Sequence, residues 1–205
     1  MILITGCPRS GTSMVCGALE ACGLRFGKGV CGATPYNRKG QYEHVELRTK
    51  HVKNVLEAAG YDPKGVRELP PIDEEFPGAD IPVRFPPDTD ALKDPKLALI
   101  WRAWDRAHPG ATWIVVRRDP AQVARSMSQI PWFRRSQIWR LIAYYCARLD
   151  DIMRRVQFAV EVDSNAVIRG DLVSLQTAAS ACGLDWNQKA VDQWLDRSLW
   201  HEDKA

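Results

Sequence analysis

The segment Gly6-Cys7-Pro8-Arg9-Ser10-Gly11-Thr12-Ser13 has the G-x-x-x-x-G spacing of a phosphate-binding loop, with Ser13 where such loops place Ser or Thr after their lysine. A loop of this shape turns backbone N–H groups toward an anion, and the positive end of a following helix adds to the attraction. The lysine itself is missing. Thr12 stands in its place, and Arg9 is the only cation of the loop. Phosphate or sulfate binding survives that exchange. An ATPase or kinase, whose lysine reaches the terminal phosphates beside magnesium, loses support. Other arginines also suit an anionic ligand: Arg117-Arg118 end an apolar run and Arg134-Arg135 precede a helical stretch.

The elements that must position these residues follow from periodicity. Ile2 to Thr5 is a short apolar run, and Met14, Val15, Ala18, Leu19 and Cys22 fall at helical spacing, with Gly23 as the stop. The loop thus joins a strand to a helix. Residues 24–42 are glycine-rich and aperiodic, a long loop of the kind that often carries function. A helix is expected from Glu43 to Ala59, and an amphipathic one from Leu97 to Ala107. Thr112 to Val116 reads as a central strand of a parallel sheet, and Asp119-Pro120 as the cap and first turn of the next helix. A long helix is expected from Phe133 to Gln157, a last strand at Ala166-Val167-Ile168, and helices at Leu172–Cys182 and Asn187–Leu199. Strands alternating with helices argue an α/β three-layer sandwich around a mainly parallel sheet.

With 205 residues, 45% of them hydrophobic and 26% charged, the chain is expected to be one soluble domain spanning 1–205. Residues 62–90, rich in proline and acids, read as a surface excursion that is free to move. No apolar run reaches the roughly 20 residues of a membrane span. The opening Met1-Ile2-Leu3-Ile4 lacks the basic leader of a secretory signal and reads as a strand. Six cysteines without a paired CxxC point away from zinc and disulfides, so no metal and a cytoplasmic setting are expected. A net charge of +3 is too small to indicate nucleic acid as a partner.

The loop resembles the 5′-phosphosulfate loop of the sulfotransferases, whose Pro-Lys/Arg-Ser-Gly-Thr core is matched by Pro8-Arg9-Ser10-Gly11-Thr12, with Ser13 following. A second stretch, Trp113-Ile114-Val115-Val116-Arg117-Arg118-Asp119-Pro120 continuing to Ser126, is similar to the 3′-phosphate motif of the same family. There an arginine ends a strand and a serine eight residues later shares the phosphate. A guanidinium and a hydroxyl suit the oxygens of one phosphate. Asn37 to Glu43 resembles an Asn-x-x-Gly-x-x-Glu stretch of bacterial members, and Lys93-Asp94-Pro95-Lys96-Leu97 their Lys-Asp-Pro segment. Val167 to Leu172 resembles a late strand of theirs, with Gly170 in place of an acid. The resemblance implies a P-loop-type fold and 3′-phosphoadenosine 5′-phosphosulfate (PAPS) as co-substrate.

It also implies roles. Pro8, Arg9, Ser10, Gly11, Thr12, Ser13, Arg118 and Ser126 would hold the nucleotide. Sulfuryl transfer needs a cation at the leaving oxygen and a base at the acceptor. Arg9 suits the first. Glu43, which would work best with a raised pKa in a partly dry site, or the adjacent His44, suits the second. Lys93 would stabilise the transferring group or hold the acceptor, a small molecule or carbohydrate. Tyr36, Tyr42, Trp132 and Phe133 would line the acceptor pocket or stack on adenine, or belong to the core. A nucleotide kinase and a non-catalytic nucleotide-binding module of the same fold stand as alternatives.

Overall fold

A computed structural model describes residues 1–196 and 198. In chain order, strand β1 (Ile2–Gly6) leads through the glycine loop into α1 (Thr12–Ala21). A helical segment follows as α2 (Val45–Arg48), a π-helical turn (Thr49–Lys53) and α3 (Asn54–Ala58). Strand β2 (Ala91–Lys93) precedes a 3₁₀ turn at Pro95–Leu99 and α4 (Trp101–Ala107). Next come β3 (Thr112–Arg117), α5 (Pro120–Ser128) and α6 (Ile138–Arg155). Strand β4 (Ala159–Asp163) is followed by α7 (Ser164–Arg169), α8 (Val173–Ala181) and α9 (Gln188–Trp194).

The four strands form a parallel sheet in the order β2-β1-β3-β4, with Gly6 opposite Val116 and Arg117 opposite Asp163. Side chains alternate across it with the period of two that a strand imposes. Leu3, Leu92, Trp113 and Val115 enter one core with Val52, Leu56, Trp104, Met127, Tyr145 and Ile152. Ile4, Ala91, Ile114, Val116 and Val162 enter the other with Val15, Leu19, Val167, Leu175 and Val191. Helices therefore cover both faces, which gives the three layers expected. The chain leaves β1 toward β2 on one side and returns to β3 on the other. Such a reversal opens a crevice at the carboxyl ends of the strands, the usual ligand site of an open α/β sheet.

Several expected elements are relocated. The last strand is Ala159–Asp163 and not Ala166-Val167-Ile168, which lies in α7. Only Val162 of β4 is buried, so this edge strand lacks an apolar run. Asp163 instead caps α7, accepting from the N–H groups of Asn165 and Ala166, and Gly170 ends that helix at φ 98°. A left-handed residue there favours glycine, which accounts for the missing acid. The helix expected from Glu43 starts at Val45 and carries the π turn. The one expected from Leu97 is a 3₁₀ turn followed by α4, and the long helix begins at Ile138 rather than Phe133. The final helix is Gln188–Trp194 and stops at an extended Leu195, short of the expected Leu199; Arg197 and Leu199 themselves fall outside the described residues. Among the described residues no helix is long and apolar enough to cross a membrane.

The proline-rich excursion is anchored rather than free. Arg148 of α6, with no exposed surface, donates to the carbonyls of Pro70, Pro71 and Ile72, and Tyr144 donates to that of Pro70. Tyr145 donates to the carbonyl of Gly65 at 3.0 Å, and Phe76 is buried in the core beside Tyr61. Carbonyls of an irregular segment need donors, and one guanidinium supplies several.

Candidate active site

The glycine loop turns between β1 and α1. Gly11 takes φ 91° as the N-cap of α1, and no side chain caps that helix. Its first N–H groups face a cavity of about 630 Å³ lined by Pro8, Arg9, Gly11, Thr12, Ser13 and Met14. Gly6 permits a close approach: a Cβ there would come within 2.5 Å of Ser10 Oγ and of the Val116 carbonyl. The loop can therefore lie hard against β3 only with glycine at this position.

The two stretches singled out in the sequence meet here. Arg9, itself at φ 72°, donates through Nε to Ser126 Oγ at 3.0 Å and through Nη1 to the Tyr36 carbonyl at 3.0 Å. Arg118 Nη1 donates to the Arg9 carbonyl at 3.2 Å. Desolvation lowers the Arg9 pKa from its ordinary value, so the pocket around its guanidinium is relatively dry. Arg118 Nε donates to Gln122 Oε1, which also accepts from Asn165 Nδ2 at 2.7 Å. The late segment thus serves the site from α7, through Asn165 and through Ile168, which lines the cavity. Arg118 also lines it, whereas Arg117 turns outward to Glu161 and Asp150.

On the β2 side a second group of charges gathers. Lys93, only 2% exposed, donates from Nζ to Glu43 Oε1 at 3.1 Å and to the Gln41 carbonyl at 2.9 Å, and lies 3.4 Å from Ser13 Oγ. Ser13 donates to the same carbonyl. Arg48 Nη1 reaches Glu43 Oε2 at 2.5 Å. Burial pushes the Glu43 carboxyl up, but Lys93, Lys96 and Arg48 together hold it down at about 2. This reverses the raised pKa that a base in a dry site was expected to show, because the surrounding cations outweigh desolvation.

Of the expected site residues, Pro8, Arg9, Gly11, Thr12, Ser13, Glu43, Lys93 and Arg118 line one cavity. Ser10 and Ser126 are buried beside it, and Ser126 touches Arg9. His44 is buried; its Nδ1 caps α2 by accepting from the Leu47 N–H, and it does not line the cavity. Tyr36, Trp132 and Phe133 line the wall, with Tyr36 and Trp132 edge to face at 5.4 Å. Tyr42 belongs to the core, where its hydroxyl donates to Glu20.

Periodicity did not reveal Lys39, Arg48, Lys53 or Trp194, all of which line the cavity. Trp194 packs against Gly17, donates to the Met14 carbonyl at 2.9 Å and carries Lys39 4.7 Å from its ring centroid. The only signal for Lys39 was its place inside the Asn37 to Glu43 stretch.

A parallel three-layer sheet with an uncapped helix N-terminus, arginines and a large crevice at the strand ends defines an α/β protein of the phosphate-binding-loop type. The family is shown by comparison: a model of the sulfotransferase domain matches residues 1–194. The chain belongs to the sulfotransferase family. A search of the curated proteins found no match to it.

Proposed function

We propose that the chain is a sulfotransferase that uses PAPS as donor and a hydroxyl or amine compound as acceptor. The observation that carries this reading is the joining of Arg9 to Ser126 and of Arg118 to the Arg9 backbone, which sets the cation that follows β3 and a hydroxyl of α5 beside the loop. A nucleotide with phosphates on both its 5′ and 3′ carbons suits such a pair of anion sites. The uncapped N-terminus of α1 fits the 5′-phosphate, and a volume of about 630 Å³ lies in the range that whole nucleotides fill.

In this reading Pro8 to Ser13 hold the 5′-phosphosulfate, with the α1 N–H groups and Arg9 meeting the charge that develops on the bridging oxygen. Arg118 and Ser126 hold the 3′-phosphate. The acceptor oxygen or nitrogen attacks sulfur in line, the bond from sulfur to the phosphate oxygen breaks, and its electron pair stays on adenosine 3′,5′-bisphosphate. Glu43, ionised at neutral pH, takes the proton lost by the acceptor, and Lys93 steadies both Glu43 and the transferring group. His44, committed to capping α2, is not needed.

Calorimetry with adenosine 3′,5′-bisphosphate tests the donor assignment. Arg118→Ala should weaken binding by about tenfold or more and Ser126→Ala by less, while unchanged affinity in both would reject it. Incubation with PAPS and hydroxyl compounds should yield a mass gain of one sulfuryl group. Nucleotide binding without any such product across a broad panel would make the chain a binding module instead.

A further inference from the structure

The acceptor end of the cavity carries more positive charge than the proposed chemistry uses. Arg48 and Lys93 face Glu43, and Lys96 pairs with the fully buried Asp94 at 2.7 Å. Lys53 and Lys64 also line the cavity, with no ion pair to a carboxylate among the described residues. Lys53 is partly buried, and burial together with Arg48 and Lys96 lowers its pKa. Lys64 is exposed, so it adds charge at the mouth, while like charges gathered around the partly buried Lys53 favour an anion that compensates them.

The backbone is built to gather them. Along a regular α-helix, residues five apart point about 140° away from each other. The π turn at Thr49–Lys53, closed by the Asn54 N–H on the Thr49 carbonyl, stacks residues five apart instead, because its hydrogen bonds run from i to i+5. Arg48 and Lys53 therefore face the same cavity, which an uninterrupted helix would not allow. The same turn also brings Leu47 and Val52, five apart as well, into one core, so a single insertion serves the packing on one side and the cations on the other.

We propose that the acceptor is itself an anion, a hydroxyl compound bearing a phosphate, sulfate or carboxylate group, and that Arg48, Lys53 and Lys64 bind that group. This rests on the sulfotransferase reading above and names its substrate class. It also explains how Glu43 acts. An anion seated on these cations offsets the charges that hold the Glu43 carboxyl low, so its basicity rises when the acceptor is in place. Neutral acceptors would leave the carboxylate a weak base.

The test uses the full chain saturated with adenosine 3′,5′-bisphosphate, so that the donor site is filled, and titrates inorganic tripolyphosphate by calorimetry. One saturable site is expected, weakened about tenfold or more in a Lys53→Gln/Lys64→Gln double variant, as for loss of charge-assisted contacts. Lys50→Gln, which removes a charge on the same helical segment at an exposed ion pair with Glu46, should leave the affinity unchanged. No second site, or equal weakening by Lys50→Gln, overturns the inference while leaving the donor assignment intact. Failure of the nucleotide itself to bind the unaltered chain rejects the parent reading and this one with it. In transfer assays, sugar phosphates should then gain sulfate faster than the parent sugars, and the double variant should lose that preference; equal rates for both would again overturn it.

Discussion

Replacing Glu43 by glutamine separates its electrostatic work from the chemical work proposed for it. The side chain is 13% exposed and shares its two oxygens between Lys93 and Arg48. Burial raises its carboxyl pKa, but the cations prevail and hold it at about 2 against an ordinary 4.5. A depression of that size contributes roughly 3 kcal/mol to stability at neutral pH. The sign follows from proton uptake: the unfolded chain binds the proton first, so the contribution is complete above the ordinary value and fades as pH falls toward about 2. At about pH 3.5 roughly 1 kcal/mol of it has gone. Glu43→Gln, which leaves Lys93 buried without its carboxylate, should thus cost about 3 kcal/mol in urea unfolding at pH 7. At about pH 3.5 the gap between the two proteins should narrow to roughly 2 kcal/mol. A variant as stable as the parent at pH 7, or a gap that does not change with pH, would refute the reasoning. The same variant should bind adenosine 3′,5′-bisphosphate normally and lose about a hundredfold or more in turnover. Turnover that survives places the base elsewhere.

Arg148→Leu removes the donors to the carbonyls of Pro70, Pro71 and Ile72 and should cost about 3 kcal/mol. Proteolysis should then cut residues 62–86 faster than in the parent; equal resistance would show that Phe76 and Tyr145 suffice. Gly17→Ala would set a Cβ 2.0 Å from the Trp194 ring, so the indole must leave the cavity wall. A loss of about 1–3 kcal/mol in urea unfolding is expected, with weaker nucleotide binding, and an unaffected variant would mean that Trp194 supports neither.

The strand-loop-helix start, the central strand β3 and the Asp119 cap were legible because each is a local signal: an apolar run, a glycine spacing, an Asp-Pro pair. Strand β4 was not. Its Ala159-Val160-Glu161-Val162-Asp163 buries one residue at a sheet edge, and the richer Ala166-Val167-Ile168 run beside it belongs to a helix whose start is fixed by Asp163. The π turn was equally hidden, since inserting one residue shifts the helical phase without any special residue type. In the site, the loop could be read from spacing, and Arg118 from the resemblance of its stretch to the family's 3′-phosphate motif. The depressed Glu43 could not, because Lys93, Lys96 and Arg48 come to it from separate segments and only their sum decides the direction of the shift.

Arg117 and Arg118 show why the crevice has the charge it has. Parallel strands end on one edge of the sheet and their side chains alternate between its faces, so the phase of each strand decides which of two neighbouring residues looks over the crevice. Arg117, opposite Asp163, is therefore spent on Glu161 and Asp150 at the outer side, and Arg118 is left to face the loop. On the other side of β1 the order is reversed. Lys93 is the last residue of β2, opposite Ile4, and points into the crevice, while Asp94 just past it is buried and holds Lys96. A single-residue slip of either strand would move a cation out of the site and an acid or a neighbour's partner in. The register of two short parallel strands thus fixes which cations face the crevice, about a loop whose own sequence supplies one arginine.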